Sequence, residues 1–72
     1  MERKEIILEL RQLLEFSGEL NEEMLLVDIP EYDSLSVMAI VAWSNAKLKK
    51  NLTAQDFANL TTVKSLLDLL MN

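Results

Sequence analysis

From about Glu2 to Phe16, apolar residues fall at Ile6, Ile7, Leu10, Leu13 and Leu14, the three-and-four spacing of an amphipathic helix. The pattern stops at Ser17-Gly18, where a glycine can take the left-handed conformation that ends many helices. Glu19 to Asp33 has no helical period; it carries six acids and an apolar cluster of Met24, Leu25, Leu26, Val27 and Ile29, expected to tuck this long connection onto a core. Pro30 bars a helix from running through and biases Ile29 toward an extended backbone. A second helix is therefore predicted from Ser34 to about Lys50, capped by the Asp33 carboxylate. Val37, Ile40, Val41 and Leu48 lie on its inner side, Lys47, Lys49 and Lys50 gather in its last turn, where cations complement the dipole, and Asn51 stops it.

Thr53-Ala54-Gln55-Asp56 has the spacing of a capping box and predicts a short helix that brings Phe57 toward the core. Thr61 or Thr62 caps a last helix, in which Val63, Leu66, Leu67 and Leu70 keep helical spacing. These elements predict an all-α fold, a four-helix bundle with three longer helices and one short third helix. Residues 1–72 form one domain, with no repeat or linker.

Composition sharpens this picture by exclusion. The 72 residues contain no cysteine and no histidine, so neither a disulfide nor a thiolate or imidazole metal site can support so small a domain. Twelve acids against seven bases give a net charge of −5, which disfavours nucleic acid, whose phosphates require clustered Lys and Arg. The apolar stretches are too short to cross a bilayer, and Met1-Glu2-Arg3-Lys4-Glu5 lacks the apolar block of a signal peptide. The expectation is a soluble, cytoplasmic protein without membrane insertion. The acids Glu19, Glu22, Glu23, Asp28 and Glu31 do not have the spacing of a helix-loop-helix calcium site and read as a solvated face.

The chemistry concentrates at Asp28-Ile29-Pro30-Glu31-Tyr32-Asp33-Ser34-Leu35-Ser36, where a serine stands at a helix start after an acidic loop. By itself this is equally the signature of an ordinary helix-start serine. A catalytic serine of the Ser-His-Asp kind is excluded within the chain by the missing histidine. The stretch resembles the attachment site of acyl carrier proteins, and the resemblance extends over nearly the whole chain: helix, long acidic loop, Asp-Ser-Leu, second helix, short third helix, and Thr61-Thr62-Val63 opening the last. It implies an acyl-carrier-like bundle in which Ser34 bears 4′-phosphopantetheine, attached by a separate phosphopantetheinyl transferase. The thiol of that arm would hold an acyl thioester. By the same resemblance, Asp33 and Leu35 are recognised by the transferase, and the carrier is a monomeric shuttle, not an enzyme. An acyl-loading or aminoacyl-loading ligase and downstream transferases are its partners.

Two departures from the fatty acid carriers stand out. Glu31 occupies a position two residues before Asp33-Ser34 where many of them have glycine, and the Ile-Pro-Glu-aromatic-Asp-Ser-Leu pattern looks like stand-alone carriers of specialised lipid, polyketide or sugar-acylation routes. Their strongly acidic second helix is also missing, since Ser34 to Lys50 contains no acid. Docking is then expected through Met38 and Ala42, one turn apart beyond Ser34, with Glu31 as the nearest acid before Asp33. Trp43 is read as packing inward against the first helix, Ser36 as a solvent-facing helix residue, and Ser17 and Ser65 as structural. An aminoacyl or peptidyl carrier uses the same serine and arm, whereas an unmodified helical adaptor binding through Met38 and Trp43 would leave Ser34 unchanged.

Overall fold

The computed structural model describes residues 2–72; Met1, part of the expected domain span and N-terminal stretch, lies outside them. Three α-helices, α1 (Arg3–Leu14), α2 (Ser34–Lys47) and α3 (Val63–Met71), make up the architecture, with 3₁₀ turns at Leu26–Asp28 and Ala54–Phe57. The described residues contain no strand, only an isolated antiparallel bridge between Leu25 and Thr62. The fold is all-α as expected. Where a short third helix is predicted there is a four-residue 3₁₀ turn. The Asp56 carboxylate accepts the Thr53 N–H at 2.9 Å, so the expected box forms, and Phe57 is buried.

Helix α1 presents Ile6, Leu10 and Leu14 to the core and α3 presents Val63, Leu66, Leu67 and Leu70, so on both the hydrophobic period marks the buried face. α1 packs against both α2 and α3. Helix α2 follows a different rule. Its buried stripe is Ser36, Ile40 and Ser44, four residues apart, while Val37, Val41 and Leu48 are half-buried flanks. The Ser44 hydroxyl donates to the Val41 carbonyl at 3.1 Å, and such back-bonding lets a small polar side chain enter the core without an orphaned group. Trp43 is half-buried against the core.

The helix ends depart from expectation in two places. α1 stops at Leu14, not Phe16, and the left-handed residue is Glu15 (φ 53°), not Gly18. The Phe16 N–H donates to Arg11 O at 2.9 Å and the Glu15 N–H to Gln12 O at 3.1 Å, the paired bonds of a Schellman motif. Gly18 matters for space instead: a Cβ there would lie 3.2 Å from the Phe16 ring. α2 likewise stops at Lys47, with Lys49 left-handed (φ 57°), so Lys49 and Lys50 stand beyond its last turn. The chain turns there because Asn45 clamps the backbone of Leu52, donating to its carbonyl at 3.0 Å and accepting its N–H at 2.9 Å.

The long connection is fastened by its backbone. Leu26 N–H donates to Thr61 O, while Val63 N–H and Lys64 N–H donate to Met24 O and Glu22 O. Leu26 and Ile29 enter the core and Met24 packs against it. Leu25 and Val27, expected to tuck inward with them, are exposed, Val27 at 87%, because neighbours in a tight turn cannot all face one core. Among the described residues, no helix is long and apolar enough to cross a membrane.

Candidate functional site

Ile29 is extended (φ −106°, ψ 102°), as a residue before proline must be, and Asp33 is extended before the first turn of α2. The Asp33 carboxylate accepts the Ser36 N–H at 2.9 Å. In return the Ser36 hydroxyl accepts the Asp33 N–H at 2.9 Å and is also within bonding distance, 2.9 Å, of the Asp33 carbonyl as donor. This is a capping box with serine as its third helical residue. Ser36 is thereby 8% exposed and part of the cap, which corrects the expectation of a solvent-facing residue. The spacing Asp33-x-x-Ser36 carries the signal, and Thr62-x-x-Ser65 repeats it at α3.

The same box is completed differently at the two helices. At α3 the first two N–H groups, of Val63 and Lys64, are taken by carbonyls of the connection. At α2 the corresponding groups, of Ser34 and Leu35, have no acceptor among the described residues. Ser34 is exposed, and its hydroxyl makes no hydrogen bond with them, since Asp33 and Ser36 already close the turn. Two open amides at the positive end of a 14-residue helix suit a phosphate ester on the intervening hydroxyl. The residues present therefore fit a phosphopantetheine attachment.

Beyond Ser34 along α2 the surface is apolar, whereas acids stand before it at Glu31 and Asp33. Leu35 is 81% and Met38 57% exposed, Ala42 is exposed, and Glu31 is partly covered. On the other side of Leu35 an open groove of about 510 Å³ lies between the end of α1, at Leu13 and Glu15, and Glu31, Leu35 and Ala39. Oε1 of Glu31 is shielded from solvent without a partner, and so is the hydroxyl of Tyr32. Burial pushes the Tyr32 phenol above its ordinary pKa. No group of three or more potential metal ligands occurs among the described residues.

Comparison of the chain with family models, curated proteins and solved structures gives no match.

Proposed function

We propose that this chain is an acyl carrier protein of the stand-alone, specialised-pathway type. In this reading the two 3₁₀ turns and three helices stand for the carrier bundle with its short third helix. A phosphopantetheinyl transferase joins the Ser34 Oγ to the phosphorus of coenzyme A that bears the pantetheine. The pyrophosphate bond breaks, adenosine bisphosphate leaves, and the hydroxyl proton passes to the transferase. Once bound, the group supplies a thiol that holds an acyl or aminoacyl cargo as a thioester. Within the chain, Ser34 would anchor the group, Asp33 and Ser36 fix the helix start, and the open Ser34 and Leu35 amides would hold its phosphate. Leu35, Met38 and Ala42 offer the apolar surface on which the transferase and a loading ligase would dock.

The observation that carries the reading is the idle hydroxyl of Ser34. Ser34 stands one residue past the N-cap, and the capping is done by Asp33 and Ser36, which leaves Ser34 exposed beside two backbone amides with no acceptor among the described residues. The test is intact-mass measurement after incubation with coenzyme A and a broad-specificity phosphopantetheinyl transferase. The wild-type chain is expected to gain one phosphopantetheine and Ser34→Ala none, with the circular dichroism of both unchanged. A wild-type chain that gains nothing favours the unmodified adaptor that binds a partner through Met38 and Trp43.

A further inference from the structure

We infer that Met38 is a site of reversible oxidation to the sulfoxide, and that its oxidation state governs docking beside Ser34; the second half rests on the carrier reading of Ser34. Met24, Met38 and Met71 lie among the described residues, and their thioethers are not equivalent. Met24 Sδ accepts the Asn21 N–H at 3.2 Å, and its side chain packs against the core. Met71 Sδ accepts from the Arg3 guanidinium at 3.4 Å. Met38 Sδ has no donor among the described residues, and Met38 is 57% exposed against 42% for Met71.

Exposure and a free lone pair are what the reaction needs. The sulfur lone pair takes one oxygen atom from hydrogen peroxide as the O–O bond breaks, so the thioether becomes a sulfoxide and the peroxide leaves as water. A sulfur that already accepts an N–H is a poorer nucleophile, and the cation on Arg3 withdraws further density from Met71. Met38 has neither handicap. A methionine sulfoxide reductase reverses the change with a dithiol as reductant; the oxygen leaves as water and the dithiol becomes a disulfide.

Position supplies the consequence. Met38 follows Ser34 by four residues on α2, one turn along the same side, with Cβ atoms about 5–6 Å apart. Together with Leu35 and Ala42 it forms the exposed apolar surface beyond Ser34. Oxidation replaces its flexible apolar side chain with a polar one, and a partner that covers Met38 must then strip water from the S–O group. The core-facing residues of α2 are Ser36, Ile40 and Ser44, so the added oxygen stands in solvent and leaves the packing of the helix undisturbed. Recognition changes while the fold does not.

The experiment treats the folded chain with dilute hydrogen peroxide and follows each methionine by peptide mass mapping. Met38 is expected to oxidise several-fold faster than Met24 and Met71. The chain oxidised at Met38 is then given coenzyme A and a broad-specificity phosphopantetheinyl transferase. Transfer should slow by about fourfold or more, the share of a buried methionine's contribution that the exposed part of Met38 would carry. It should recover after treatment with reductases for both sulfoxide epimers. Met38→Leu, measured before and after peroxide, should show no such slowing, which separates Met38 from oxidation elsewhere, Met1 included; circular dichroism should stay the same throughout. Oxidation of Met24 or Met71 ahead of Met38 overturns the inference, as does unchanged transfer with Met38 fully oxidised, and both leave the carrier reading standing. Failure of the untreated chain to accept the group overturns the carrier reading and the docking half of the inference with it.

Discussion

At Asp33 one carboxylate serves the helix and, in the carrier reading, the transferase as well. The two roles separate by substitution, because asparagine caps a helix nearly as well as aspartate but has no charge. Asp33→Ala is expected to lower unfolding free energy by about 0.5–2 kcal/mol and to slow phosphopantetheine transfer. Asp33→Asn should keep nearly all the stability and still slow transfer. Urea denaturation and a transfer-rate assay distinguish the two roles; equal rates for wild type and Asp33→Asn would remove the charge from recognition. The Asp33 cap was legible in the sequence because capping is local chemistry, readable from Pro30, Asp33 and the apolar period that follows. The role of Ser36 was not, since hydropathy alone assigns a serine to solvent, whereas here its hydroxyl is consumed by Asp33. The inward-facing Ser44 escaped for the same reason.

Among the elements, α2 differs most from its sequence-based description. It ends at Lys47, so Lys49 and Lys50 lie past the helix and the clamp from Asn45 to Leu52 sets the turn. A contact between residues seven apart across an irregular turn leaves no periodic trace, and a left-handed lysine or glutamate leaves none either, so both helix ends were misjudged by two or three residues. The outward face from Leu35 through Met38 to Ala42 bears no acid and two large exposed apolar side chains. In the carrier reading, recognition by a loading ligase should then depend on burial of apolar area more than on long-range charge. Met38→Glu is expected to reduce the loading rate by about tenfold or more, equivalent to at least about 1.4 kcal/mol. Glu31→Gln and moderate salt should each change it far less. If the Glu31 change is the more damaging, or moderate salt abolishes loading, docking is driven by acid-to-base pairing through the loop.

For the whole molecule, three distant segments meet at Arg3. Its guanidinium donates to Glu22 Oε1 at 2.8 Å and Oε2 at 3.1 Å, and to Asp68 Oδ1 at 3.1 Å, joining the start of α1, the long connection and α3. Lys64 adds a bond to Asp68 at 3.3 Å. Hydrogen bonds from Arg3 hold both carboxyls below their ordinary pKa. Carboxyls lowered in the folded state stabilise it above their unfolded pKa and lose that contribution as pH falls through the folded values. Wild type should therefore melt higher than Arg3→Gln near neutrality, and the difference should close below the ordinary carboxylate range and shrink with salt. Melting curves against pH check this; a difference independent of pH would assign Arg3 a packing role only. Residues so far apart in the chain share no local pattern, and this tie could not be read from sequence, whereas the buried faces of α1 and α3 could, because the helical period itself encodes them. The central claim, attachment at Ser34, is tested most directly by fragmenting the transferase-treated wild-type protein and locating the added group. The account predicts that it maps to Ser34 alone; a group on Ser36, Ser17 or Ser65, or no added group at all, would contradict it.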